Sequence, residues 1–148
     1  MDRVSKEQRS RIMARIRSCG TAPERKLGEL LRALLPGERI EERPASLPGK
    51  PDYFLPGLAL AVFMDGCFWH GCPKCHRLPE DNRAYWELKL RRNRARDRAV
   101  NAALRAAGIA PVRIWEHELA GDGAQAKRKL RRSTRRAQAR LARPAAAG

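Results

Sequence analysis

Acidic side chains are scarce in this 148-residue chain: 16 Asp and Glu face 32 Lys and Arg, giving a formal charge of +16 and an isoelectric point near 11.1. Such an imbalance favours a polyanion over a neutral ligand, nucleic acid first. Long apolar runs are also missing. None approaches the roughly 20 residues that span a bilayer, which leaves an anionic membrane surface as a weak rival to nucleic acid. The first twenty residues alternate basic and small side chains without the apolar stretch of a secretory leader. A cytoplasmic protein with no membrane association is therefore expected. Cysteine is limited to four residues, which in that compartment bind metal or stay reduced rather than pair. No internal repeat or heptad pattern is present, so a monomer is expected. The length suits one domain with a real core.

The order of elements reads helix, strand, strand, helix, strand, helix. Thr21-Ala22-Pro23-Glu24 has the form of a helix start, with Thr at the N-cap, Pro in the first turn and Glu at the capping-box position. Leu27, Leu30, Leu31 and Leu34 then recur at helical spacing, and Pro36-Gly37 ends the pattern. Asp52 to Leu55 reads as a strand, Pro56-Gly57 as a turn, and Leu58 to Met64 as a buried central strand. Asn82 to Ala107 lacks Gly and Pro and sets Tyr85, Leu88, Ala95, Ala99, Ala103 and Leu104 along one expected inward stripe. Ile109 to Trp115 is the third strand. The predicted fold is α/β, a small mixed central sheet flanked by helices. Residues 1–20 form a basic segment, 21–120 the folded domain and 121–148 a basic tail. The run Lys127 to Arg143 in that tail either adds phosphate affinity or is a solvated helix face.

The densest chemistry lies in Gly66-Cys67-Phe68-Trp69-His70-Gly71-Cys72-Pro73-Lys74-Cys75. Thiolates at this spacing suit tetrahedral zinc, and Cys67, Cys72 and Cys75 then need a fourth ligand. A third strand beside Leu58 to Met64 would bring its exit to the same loop, which favours His117; His76 and His70 are the competitors. The alternative is a set of reduced core cysteines without metal. Phe68 and Trp69 have no obvious core to enter and point to a partner. The acids Glu24, Asp52, Asp65 and Asp97 form a second candidate group. Adjacent antiparallel strands would hold Asp52 and Asp65 near one edge, where carboxylates suit Mg2+ against a phosphate and His70 suits proton transfer from water. Each acid also has a bland reading: Glu24 as a capping residue, Asp97 as the partner of Arg94 or Arg98.

Several motifs in order, Thr21-Ala22-Pro23-Glu24, Ser46-Leu47-Pro48-Gly49-Lys50-Pro51-Asp52, Val62 to Pro73, Tyr85-Trp86-Glu87-Leu88-Lys89 with Asn93 and Arg96-Asp97, and Ile114-Trp115-Glu116, resemble the very-short-patch repair (Vsr) endonucleases. The resemblance covers roughly residues 5–119. It implies a restriction-endonuclease-like fold with one structural zinc site and Mg2+-dependent, strand-specific nicking 5′ of the thymine in a T:G mismatch, the product of 5-methylcytosine deamination. It further implies a bacterial, nucleoid-associated protein acting on double-stranded DNA, with mismatch-repair proteins as partners.

Carried across, the resemblance makes Asp52 the metal-binding catalytic aspartate and His70 the catalytic histidine, with Glu24 and Asp97 as supporting active-site acids. The Met64 main-chain carbonyl becomes the second Mg2+ contact, and Cys67, Cys72, Cys75 and His117 the zinc ligands. Phe68, Trp69 and Trp86 become the aromatic wedge beside the mismatch, and Met13 an apolar contact from the N-terminal segment. Met64 stands where a Thr occurs in the family, and Asp65 where a His occurs. The zinc set is permuted, with Cys at 75 and His at 117. A non-catalytic zinc-containing DNA-binding module is the alternative, and a basic RNA-associated protein a further one.

Overall fold

The first helix, α1 (Ala22–Leu34), begins where the capping pattern sets it, and Thr21 Oγ1 accepts from the Glu24 N–H at 3.5 Å. The computed structural model describes Ser5 and residues 21–67, 72–74 and 78–143. Beyond α1 come β1 (Glu41–Glu42), β2 (Tyr53–Leu55), β3 (Leu60–Asp65), α2 (Arg83–Ala106), β4 (Ala110–Trp115), a 3-10 turn (Glu116–Leu119) and α3 (Ala124–Ala142). The strands form one mixed sheet in the order β1-β2-β3-β4. β1 and β2 pair antiparallel, as do β2 and β3 with Tyr53 opposite Val62, while β3 and β4 run parallel with Asp65 opposite Trp115. The short β1 falls inside Arg39 to Gly49, which the sequence reads as extended chain and loop.

Alternation along β3 divides the core between two faces. Leu60 and Val62, with Val112 and Ile114 of β4, pack with Leu27 and Leu31 of α1 and with Ala126, Leu130 and Ala137 of α3. Ala61 and Phe63 turn the other way, to Leu104 of α2. The sheet is thus covered on both sides, which is why β3 reads as an unbroken apolar run.

Gly28 sits mid-helix in α1, where glycine is about 1 kcal/mol worse than alanine. A β-carbon there would run into the Tyr53 hydroxyl and ring. Without it, Tyr53 donates to the Glu24 carbonyl at 2.8 Å and ties α1 to the start of β2.

Two expectations change. The inward face of α2 is not the apolar stripe: Tyr85 and Leu88 are 43% and 44% exposed, and Ala95, Ala99 and Ala103 are exposed too. Leu90 and Leu104 are the buried positions, with Asn93, Asp97 and Asn101 half-buried between them. The spacing is helical, but the face is polar because it meets an arginine on β4. The last helix of the predicted order is α3, and one face of it is not solvated but packed, with Ala126, Leu130 and Ala137 in the main core. Small inward residues hid this face among the arginines.

Leu130→Ala should therefore lower stability by about 2–5 kcal/mol, whereas Leu141→Ala, at a side chain 54% exposed, should stay within about 0.5 kcal/mol. Urea unfolding of the full chain separates these outcomes; equal effects would contradict a packed α3.

Candidate active site and metal cluster

Asp52 precedes β2, at the end of the sheet where β3 finishes, and its Oδ2 accepts the Met64 N–H at 2.8 Å. Residues in an extended strand present N–H and C=O on the same edge, so the Met64 carbonyl leaves β3 on the side that carries Asp52. Burial pushes the Asp52 carboxyl up to about 6, against the pull of the Met64 N–H; Glu24 and Asp65 push it further up, and Arg43 lowers it. Three acids thus share one field at the rim of the sheet. Arg43 follows β1 with positive φ, donates its N–H to the Asp52 carbonyl at 3.0 Å and reaches Glu24 Oε2 at 3.9 Å. The Tyr53 hydroxyl on the Glu24 carbonyl fixes α1 beside this pair.

Asp65 and Asp97 meet at an arginine. Arg113 Nη1 lies 3.1 Å and 3.2 Å from the two Asp65 oxygens and 3.6 Å from Asp97 Oδ1. Its Nε donates to Asn101 Oδ1 at 3.0 Å, and the guanidinium stacks 4.2 Å above the Phe63 ring. The Arg113 side chain is 16% exposed and Asp65 is buried. A buried carboxylate needs such a partner. Asp97 therefore pairs with Arg113 of β4, a partner that local sequence does not suggest. Arg113 escaped the sequence reading; the signal for it was a lone cation inside an apolar strand.

The second cluster forms where β3 and β4 leave the sheet together. Cys67 Sγ and Cys72 Sγ lie 3.3 Å and 3.4 Å from His117 Nδ1, and the three donor atoms fall within 4.8 Å of one another. The Cys72 N–H donates to the Cys67 carbonyl at 2.9 Å and closes the loop. The 3-10 turn bearing His117 is held by Glu118, whose carboxylate accepts from the Trp115 N–H at 2.8 Å and from Lys129 Nζ at 3.1 Å. Zinc bonds of about 2.3 Å to sulfur and 2.0 Å to nitrogen in a tetrahedron set S and N about 3.5 Å apart. The observed separations match, and two sulfurs converging on one ring nitrogen suit a shared cation better than two hydrogen bonds. These donors are compatible with a metal site.

The structure thus brings together Asp52, Glu24 and the Met64 backbone in one group, and Cys67, Cys72 and His117 in another. Trp86 stands half-buried in the first turn of α2, its ring edge-on to Tyr85 with centroids 5.1 Å apart and planes at 76°; Tyr85 was not foreseen as its brace. His70, Cys75, Phe68, Trp69 and Met13, together with the competing ligand His76, lie outside the described residues.

Comparison with known proteins agrees with the chemistry. Residues 1–77 match the family described as DNA mismatch endonuclease Vsr. The chain is 40% identical to the type II nicking enzyme V.XorIIP of Xanthomonas oryzae, over 83% of this chain and 90% of that protein. It is 45% identical to the type II nicking enzyme V.NaeI of Lentzea aerocolonigenes, over 74% of this chain and 68% of that one. It is also 33% identical to the DNA mismatch endonuclease Vsr of Escherichia coli, over 78% and 74%.

Asp52 makes stability pH-dependent. Its folded value of about 6 exceeds the ordinary 3.8, so the native state binds the proton more tightly. Its contribution is full below about pH 4 and is lost as pH rises through 6. Asp52→Asn should therefore stabilise the metal-free protein at pH 8 by about 1–3 kcal/mol and have little effect at pH 4, as read by urea unfolding at both pH values. An unchanged or lower stability at pH 8 would contradict the burial argument.

Proposed function

The chain belongs to the Vsr family of DNA mismatch endonucleases and is a nuclease, and from that premise we propose that it nicks duplex DNA 5′ of the thymine in a T:G mismatch, with Mg2+ as cofactor. The observation that carries this reading is the Asp52 carboxylate, half-buried between Glu24 and Asp65 at the edge of an otherwise strongly basic protein. Gathered acids with a main-chain carbonyl on the same side form a set of hard oxygen donors of the kind Mg2+ prefers. Asp52 and the Met64 carbonyl would hold the ion. When bound, it supplies charge neutralisation at the scissile phosphate and the departing oxygen.

The remaining steps fall to this chain's own residues. His70 accepts the proton of the attacking water, a task suited to imidazole, the side chain whose unperturbed pKa, about 6.5, lies nearest neutrality. Glu24, held by Thr21, Tyr53 and Arg43, orients water beside Asp52. Asp97 acts from the other side through Arg113, which also neutralises Asp65 and so leaves Asp52 as the acid that faces substrate.

Selectivity rests on stacking. A T:G wobble is more easily pried apart than a matched pair, and inserted apolar side chains turn that difference into discrimination. Phe68, Trp69, Trp86 and Met13 form the wedge, and the edge-on contact of Tyr85 supports a rigid Trp86. Zinc held by Cys67, Cys72, Cys75 and His117 would brace the loop that carries Phe68, Trp69 and His70, without taking part in hydrolysis. Such an enzyme works on chromosomal DNA at the nucleoid, alongside mismatch-repair proteins. No helix among the described residues is long and apolar enough to cross a membrane.

Duplexes that differ only by T:G or C:G at one position test this reading. Strand-specific nicking of the T:G duplex should require Mg2+, and Asp52→Ala should lower the rate by at least about 10³-fold with duplex affinity nearly intact. Equal cutting of both duplexes, or full activity in EDTA, would overturn it. Elemental analysis checks the second metal: the purified chain should carry about one zinc, lost in Cys72→Ser and His117→Ala. A zinc-free native protein would contradict that assignment.

A further inference from the structure

Helix α3 contributes no donor to either cluster, yet among the described elements it has the largest net charge. Between Ala124 and Ala142 it has eight Lys and Arg and no acid: Lys127, Arg128, Lys129, Arg131, Arg132, Arg135, Arg136 and Arg140. Two of these are used internally, Lys129 on Glu118 and Arg140 on the Leu58 carbonyl at 3.3 Å. Another five, Arg128, Arg131, Arg132, Arg135 and Arg136, are all exposed and line one open groove of about 460 Å³. Their spacing of three and four residues puts them on a single helical stripe, opposite the buried Ala126, Leu130, Thr134 and Ala137.

Like charges at this spacing destabilise a helix, and the helix contains no acid to offset them. A solvated surface serving only solubility gains nothing from concentrating arginine in one stripe, since interspersed charges of both signs would do as well. Guanidinium groups pair with phosphate oxygens in a bidentate fork that lysine lacks. From Arg128 to Arg136 the helix advances about 12 Å at 1.5 Å per residue, which lets the stripe follow a few successive phosphates of one strand.

We propose that the outer face of α3 is a second DNA-binding surface, separate from the Asp52 site, which grips the phosphate backbone of duplex DNA without regard to sequence or mismatch. The α3 N-terminus follows directly on the turn that carries His117, so the stripe starts at the end of the molecule that holds the candidate active site and runs away from it. Such a contact raises the residence of the enzyme on ordinary DNA during its search and leaves the chemistry at Asp52 unchanged. The inference takes from the functional reading only that duplex DNA is the polyanion.

The test uses the full chain and a fully matched duplex in EDTA, so that neither mismatch selectivity nor cutting enters. Fluorescence anisotropy over a salt series compares wild type with the triple variant Arg128→Gln/Arg132→Gln/Arg135→Gln. Each lost phosphate contact lowers the slope of log K against log salt by about 0.9, so the triple variant should lose about 2–3 units of slope and at least about ten-fold in affinity near 0.1 M salt. The same positions changed to Lys should restore most of the slope, because charge sets that quantity. The Gln variant should also be at least as stable to urea as wild type, since repulsion is relieved, and should nick at the wild-type rate at saturating substrate. An unchanged slope and affinity in the Gln variant would overturn the proposal. So would a loss of binding to phosphatidylglycerol vesicles with DNA binding intact, which would assign the stripe to a membrane surface. Absence of T:G-dependent nicking in the wild type would overturn the mismatch reading and leave this result standing.

Discussion

Parallel pairing of β3 with β4 sends two stretches of chain out of the same end of the sheet, and both candidate clusters depend on it. With Asp65 opposite Trp115, the residues that follow are Gly66-Cys67 on one side and Glu116-His117 on the other, so sulfur and imidazole converge without any long loop. An antiparallel β4 would have delivered His117 to the far end. The antiparallel β2 adds the third member, because its beginning lies where β3 finishes, and Asp52 there caps the Met64 N–H. One topological choice thereby places an acid cluster and a thiol cluster on either side of a single strand end.

Charge is arranged with the same economy. The protein is basic overall, but the rim of the sheet concentrates acids that would repel one another if left unmatched. Arg113, its guanidinium over the Phe63 ring, settles half of that conflict by holding Asp65 and Asp97. Asp52 is left partly desolvated with Glu24 nearby and only a distant Arg43 in compensation, so its proton is held up to about pH 6. A divalent cation relieves such a site, and a proton relieves it less well. Burial raises the energy of the empty carboxylate cluster, and that energy is recovered on binding positive charge. Outside the rim, Arg98 of α2 and Arg131 and Arg135 of α3 are among the arginines that face solvent, where a polyanion can reach them.

Some of this was legible from residues alone because local chemistry dictates it. Thr21 with Glu24 three positions on marks a helix start wherever the chain goes, and Leu58 to Met64 is too apolar to lie anywhere but between covered faces. The choice of His117 as the thiol partner also came from sequence, through the inference that two strands would lie side by side. The inward face of α2 failed for the opposite reason. Periodicity assumes that inward means apolar, and Asp97 and Asn101 face a half-buried arginine on β4. The last helix was expected, but its packing was not, because its core contacts include Ala126 and Ala137, too small to stand out among arginines. Tyr53 meeting Gly28 required two segments to touch before either residue acquired a meaning.

The sequence by itself determined the elements other than β1, the excess of positive charge, the thiol-rich loop and the family, since each depends on residues close together in the chain or on composition. Tertiary structure alone decided which acids are left without a close cation and which are neutralised by Arg113. Those outcomes rest on distances between segments dozens of residues apart, and Coulomb energy and desolvation depend on such distances rather than on order along the chain.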